Sequence, residues 1–277
     1  MKLNELSKRV LTAAIGIPVL IFALIKGKYV FLLLVVLVGV VGLWEFFRIM
    51  ELKGYKPAKT AGYISGIIII CSSYFLKDYS LAIFVVIIFI LSAGLFEKDN
   101  KSALSGTGVT IFGVLYLAGL ISFAIRLRNL SSFINARHIT NQTDIYAVFF
   151  PIAIIFLSDT GAYFVGKAYG KNRVAPNISP KKSWEGVVGG ILTSLLAGYI
   201  IWRIAPQILP LKHVLILSVI LSIAGLGGDL AESRIKRDAE VKDSGSIFPG
   251  HGGVMDRVDA LLFGLPITYI YLCWYFN

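Results

Sequence analysis

Charge is scarce in this sequence. Only 16% of its 277 residues are Asp, Glu, Lys or Arg, against 56% hydrophobic, at a mean hydropathy of +0.77. A soluble domain carries roughly 25% charged residues, and a chain with so little polar surface cannot cover its apolar side chains in water. An ordinary soluble globular domain is thereby excluded. Cysteine is nearly missing too. Cys71 and Cys273 both sit in apolar segments, which leaves no disulfide framework and no thiolate metal motif. Of the three histidines, His138 in a polar loop and His213 at the start of a predicted span read as solvated residues rather than ligands, and His251 stands among the polar groups considered below. No GxxxxGK[ST] loop is present, so any nucleotide is held by another device. No Ser–His–acid or cysteine-based arrangement points to acyl chemistry. No repeat of fixed period and no convincing cleavage site are visible, so the apolar run after Lys8-Arg9 reads as a retained helix.

What is present in quantity is long apolar runs, many approaching the roughly 20 residues that cross about 30 Å of hydrocarbon. Breaks at charged or Gly/Pro-rich stretches predict spans over 10–25, 29–47, 61–76, 79–96, 104–125, 145–163, 184–202, 212–229 and 258–276. The expected fold class is an all-α integral membrane protein, a polytopic bundle of about nine transmembrane helices. Residues 1–140 hold about five spans; residues 141–277 hold about four spans with polar loops and are the expected catalytic region. With the N-terminus inside, 19 of the 27 basic residues fall on the inner segments and 8 on the outer ones. That is the bias of the positive-inside rule. The expectation is a protein integral to the cell membrane, N-terminus cytoplasmic and C-terminus outside, whose net charge of +11 draws anionic headgroups or a polyphosphate to the inner face.

The first 140 residues are mostly plain spans, with Glu45 as the main oddity; at i,i+3 from Arg48 it reads as that residue's ion-pair partner. The polar chemistry collects later, on three inner segments. In FLSDTGAYFVGKAYGK, Asp159 lies inside an apolar run, where an ionisable group costs about 2.5–3.5 kcal/mol unless paired or wetted. Pairing with Lys167 is the structural alternative to a functional role. In NISPKKSWEGVVGG, Ser179-Pro180 reads as the start of a helix whose opening turns carry Lys181, Lys182, Ser183 and Glu185. Lysines and free N–H groups at a helix start form a candidate phosphate cradle, and Gly186, Gly189 and Gly190 allow close helix packing. In GGDLAESRIKRDAEVKDSGSIFPGHGGVMDRVD, Asp229, Glu232 and Ser233 share a helix face, and Asp256 and Asp259 repeat the i,i+3 spacing. Lys236, Arg237 and Lys242 lie between the pairs. The glycines of PGHGG permit a tight turn and close approach to a ligand. His251 reads equally as a proton carrier or phosphate donor and as a turn residue. Oxygen donors with few imidazoles or thiols suit a hard cation such as Mg²⁺ rather than zinc. Carboxylates, lysines and glycine turns around such a cation are what phosphoryl or nucleotidyl transfer requires. An ion-coupled transporter, using Asp159 and Asp229, is the rival class; it calls for polar residues through the membrane depth, whereas here they crowd one face.

The run from Ser233 to Asp259 resembles the signature of the phosphatidate cytidylyltransferases, S-x-x-K-R-x4-K-D-x-G-x2-x-P-x-H-G-G-x-x-D-R-x-D. Its fixed positions are filled by Ser233, Lys236, Arg237, Lys242, Asp243, Gly245, Pro249, His251, Gly252, Gly253, Asp256, Arg257 and Asp259. SDTGAYFVG and SPKKSWEGVVGG resemble further family segments, so the similarity covers roughly residues 150–264. The resemblance implies the reaction of CTP with phosphatidic acid to CDP-diacylglycerol and pyrophosphate, with Mg²⁺, at the cytoplasmic face. It implies Asp229 and Asp256 as metal ligands and Asp159, Asp243 and Asp259 as supporting carboxylates. Lys181, Lys182, Lys236, Arg237, Lys242 and Arg257 become the phosphate-neutralising group. Ser183, Glu185, Ser233, Gly252 and Gly253 complete the substrate-binding set, and His251 the catalytic one. CTP, phosphatidic acid and membrane lipids are the expected partners, without nucleic acid. A second, monovalent ion and a homodimer are further expectations of the family.

Overall fold

The computed structural model describes residues 5–96, 100–134, 139–245, 247 and 252–276, with side chains described except at 5–13 and 100–102. The chain divides into two compact units, residues 1–128 with 236–258, and residues 129–235 with 259–277.

The first unit opens with α1 (Glu5–Lys26), α2 (Lys28–Leu52), α3 (Lys59–Phe75) and α4 (Ser80–Gly94). Gly27, at φ +60°, turns the chain sharply between α1 and α2. Then come α5 (Asn100–Gly113), a π-helical stretch (Val114–Gly119) and α6 (Phe123–Arg128). α2 is apolar nearly all round, as a helix in lipid or in a core must be. Its buried side, with Leu43, Phe46 and Phe47, meets α3 and the π-helical stretch through stacked and edge-on rings of Tyr63, Phe112 and Tyr116.

The second unit holds α7 (Leu130–Phe133), α8 (Asn141–Tyr169), a two-stranded antiparallel hairpin of β1 (Arg173–Ala175) and β2 (Ser179–Ser183), and α9 (Trp184–Ile204). The Thr140 and Thr143 hydroxyls cap α8 reciprocally. α8 and α9 lie against each other along the small residues foreseen for this purpose: a Cβ at Gly189 would collide with Val165, and one at Gly190 would stand 3.1 Å from the Ser158 carbonyl. Two long helices complete the chain, α10 (Leu211–Asp238) and α11 (Met255–Phe276); the boundaries between units fall within them, after Ile235 and after Val258.

Every predicted span falls on helix, and the protein is an all-α membrane protein apart from the small hairpin. The number of spans is a finer matter. Among the described residues six helical segments are long and apolar enough to cross a bilayer: Lys28–Leu52, Ala103–Arg128, Asn141–Tyr169, Trp184–Ile204, Leu211–Asp238 and Met255–Phe276. Ala14–Lys26 and Ser80–Gly94 are shorter apolar helices. Side chains such as Leu33, Leu37, Phe84, Ile88, Leu192 and Leu196 are exposed on these helices, a display that lipid tolerates and water does not.

Candidate active site

Two clusters of carboxylate and lysine occupy the polar segments, one in each unit. In the first unit, Asp256 sits in the opening turn of α11. Its two oxygens have different partners. Oδ2 accepts the Gly253 N–H at 2.8 Å, the Ser244 N–H at 3.0 Å and the Ser244 hydroxyl at 2.8 Å. Oδ1 accepts from Lys236 Nζ at 2.5 Å. Gly252 has φ +80°, the left-handed region that glycine enters at no steric cost, and the Gly253 N–H that follows this kink donates to the aspartate.

Beneath this loop lies Glu45, wholly buried, two turns from the C-terminal end of α2. Its carboxylate accepts the Val254 N–H at 2.9 Å, the Met255 N–H at 2.8 Å and the Ser244 hydroxyl at 3.1 Å. The expected pairing with Arg48 is thereby overturned. Arg48 is exposed and lies over the Trp44 ring at 5.7 Å, while Glu45 satisfies N–H groups at the start of α11 that have no partner within the helix. The sequence marked Glu45 only by its isolation in an apolar run, and Ser244 by nothing, since it occupies a variable position between Asp243 and Gly245. Arg237, Lys242, Asp243 and Arg257 are exposed; Arg237 Nη1 donates to the Val241 carbonyl at 3.3 Å. A pocket of about 230 Å³ is lined by Arg48, Ile49, Leu52, Val241, Asp243, Ser244 and Gly245.

In the second unit, Asp229 of α10 accepts the Ser233 hydroxyl on Oδ1 at 3.1 Å and is ion-paired through Oδ2 with Lys182. The shared helix face read from the sequence is thus real, and Glu232 on the same helix is fully buried. The helix expected to begin at Ser179-Pro180 begins later. Lys181 and Lys182 lie in β2, and the N-cap of α9 is Ser183, whose hydroxyl accepts the Gly186 N–H at 3.2 Å. The reason is that residues 179–183 pair with 173–175, and the extended backbone gives the cap to the last residue of the strand. Glu185 in the first turn is taken up by the chain itself, accepting from the Lys171 N–H at 3.1 Å, the Asn172 N–H at 3.2 Å and Asn172 Nδ2 at 2.8 Å. Lys181 and Asp159 are exposed, the latter on the uninterrupted helix α8. Asp259 belongs to this unit, where its backbone carbonyl lies so close to Gly228 that no Cβ fits. His251 and Pro249 lie outside the described residues.

Among the described residues no three or more His, Cys, Asp or Glu side chains form an all-protein cage for a metal ion. Mg²⁺ does not demand one. It is commonly held by one or two carboxylates, with water and substrate phosphate filling the remaining positions. Asp256 Oδ1 and Asp229 Oδ2 each already face a lysine ammonium, so each is oriented to accept a cation. The donor chemistry fits the expected ion.

Residues 7–275 match the model of the cytidylyltransferase family. Proteins named phosphatidate cytidylyltransferase are similar over almost the whole chain. That of Bacillus subtilis is 32% identical, covering 97% of this chain and 98% of its own. That of Synechocystis is 30% identical, covering 96% of each. That of Haemophilus influenzae is 30% identical, covering 96% and 98%. The likeness extends through the N-terminal helices, where motif reading had found only hydrophobicity, and with the carboxylate–lysine clusters it settles the family: the chain belongs to the cytidylyltransferases.

Proposed function

We propose that this enzyme transfers a cytidylyl group from CTP to phosphatidic acid at the cytoplasmic membrane face, releasing pyrophosphate and leaving CDP-diacylglycerol in the bilayer. The observation that carries the reading is Asp256, held by Ser244, Gly253 and Lys236 at the head of an apolar helix, inside the stretch that matches the family signature. A phosphate oxygen of the lipid attacks the α-phosphorus of CTP, and the bond to the β-phosphate breaks. The attacking phosphate is already ionised at pH 7, since a monoester's second pKa is about 6, so no protein base is required. Lys182, Lys236 and the exposed Lys181, Arg237, Lys242 and Arg257 absorb charge on the triphosphate and on the departing pyrophosphate. Asp256 in the first unit and Asp229 in the second would each offer a carboxylate oxygen to Mg²⁺, which when bound neutralises phosphate oxygens and orients the leaving group. Ser233 and Ser244 keep each aspartate in a fixed rotamer for that purpose.

The test mixes purified protein, CTP labelled on its α-phosphate, Mg²⁺ and phosphatidic acid in detergent micelles. Labelled CDP-diacylglycerol is expected, with one pyrophosphate per product and none after chelation of Mg²⁺ by EDTA. A folded sample that produces no labelled lipid refutes the assignment.

A further inference from the structure

Among the described residues, α2 contributes a buried carboxylate, Glu45, to the loop that holds Asp256. Glu45 reaches across 199 to 210 residues of sequence to three donors on the loop that precedes and begins α11. Glu45 bears on two features of that loop. Gly245 and Gly253 both lie against its carboxylate, and a Cβ at either position would collide with it. Glu45 thus leaves no room for a side chain at Gly245, and Glu45 together with the Ser244 hydroxyl leaves none at Gly253.

The consequence concerns how Asp256 presents itself. Ser244 and Gly253 fill Oδ2 with N–H groups, and the Ser244 hydroxyl hangs between Glu45 Oε2 and Asp256 Oδ2. Among the described residues, Oδ1 is the oxygen that faces a cation, the Lys236 ammonium. We propose that Glu45 is a positioning residue: by clamping the Val254 and Met255 amides and the Ser244 hydroxyl, it fixes the loop that saturates Asp256 Oδ2 and thereby dedicates Oδ1 to the cation. The inference rests on the cytidylyl-transfer reading, and it adds a residue outside the signature to the machinery.

Replacement of Glu45 by Gln nearly preserves volume but turns an amide NH₂ toward donors. A hydrogen bond to a charged group contributes about 1.5–3 kcal/mol, so kcat should fall about tenfold or more. The KM for phosphatidic acid should stay within about twofold, because uniform lipid binding is untouched. The Mg²⁺ concentration for half-maximal rate should rise. Hydrogen exchange, read by mass spectrometry, should quicken at residues 252–256 and not along the rest of α2. Glu45→Asp, which keeps both oxygens but retracts them by one methylene, should recover part of each effect. Unchanged exchange in the loop, or an unchanged kcat and Mg²⁺ requirement in Glu45→Gln, overturns the proposal. So does a loss of activity in both variants that follows general unfolding, with exchange rising throughout the unit, because Glu45 is then only a structural anchor. Wild-type protein that makes no CDP-diacylglycerol would instead sink the functional reading, so the two failures are distinguishable.

Discussion

Asp256 and Lys236 form a largely buried ion pair, and the proposed reaction asks the same carboxylate to hold a cation. Their side chains are only 8% and 11% exposed, so neither ion is well hydrated if its partner is removed. Breaking a buried pair from one side costs about 3–5 kcal/mol, whereas removing both partners costs far less. Lys236→Met is therefore expected to destabilise the protein by about 3 kcal/mol, although the Ser244 and Gly253 amides hold some of the stranded carboxylate's charge. In Lys236→Met/Asp256→Asn part of that loss should return, as a coupling of about 1–3 kcal/mol in a double-mutant cycle measured by denaturant titration in detergent. Activity should behave oppositely. Asp256→Asn alone should lower kcat about a hundredfold or more by weakening the cation site, and the second substitution should restore none of it. Strict additivity in stability would mean that the ion pair is not formed in the folded protein. The residues of this pair were legible from sequence as types and spacing, but their pairing was not, since Lys236 and Asp256 are on different helices. Glu45 was the harder case. Its nearest cationic neighbour along the chain is Arg48, and the rule for i,i+3 pairs pointed there; its real partners are backbone amides that no side-chain pattern can advertise.

At the scale of elements, apolar length made the helices readable and local pairing hid the rest. A helix in a membrane needs only a continuous apolar run, so each of the nine predicted segments coincides with helix in the structure. The β1–β2 hairpin shows no alternating apolar pattern, because SPKKS has no face to bury, and so its strand was taken for the first turn of α9. The π-helical stretch Val114–Gly119 is equally silent in composition. The glycines of α9 were readable because close approach leaves one chemical solution, the loss of the side chain. A direct consequence is testable. Gly189 stands where any Cβ would run into Val165 of α8, and both helices are held in unit two by this contact and by Gly161 opposite Thr193. Gly189→Leu should force the helices apart and cost about 1–3 kcal/mol, the range for overpacking a filled site. A thermal melt in detergent reads the effect, and Val165→Ala in the same background should recover part of it. If Gly189→Leu melts at the wild-type temperature, α8 and α9 do not meet along this seam in solution.

For the whole molecule, the question with most bearing on function is which side of the membrane each polar segment faces, since CTP is water-soluble and cannot reach a site on the wrong side. α9 is a single helix of 21 residues, about 31 Å at 1.5 Å per residue, which matches the hydrocarbon thickness. A crossing α9 puts the hairpin before it and the turn after it on opposite faces, whatever the rest of the chain does. Charge then chooses between the two orientations. The segment before α9 carries Lys167, Lys171, Arg173, Lys181 and Lys182, and the one after it only Arg203 and Lys212, so the positive-inside rule predicts the hairpin on the cytoplasmic side. Asn177, exposed in the hairpin turn, and Gln207, exposed after α9, are suitable reporters. In a background with Cys71 and Cys273 replaced by Ala, a membrane-impermeant maleimide applied to intact cells should label Gln207→Cys and spare Asn177→Cys. Inverted vesicles should give the reverse. Labelling of both from one side would mean that α9 does not cross the membrane. Labelling of Asn177→Cys alone from outside would place Lys182 and its partner Asp229 away from the nucleotide supply, and the reaction could not run as proposed.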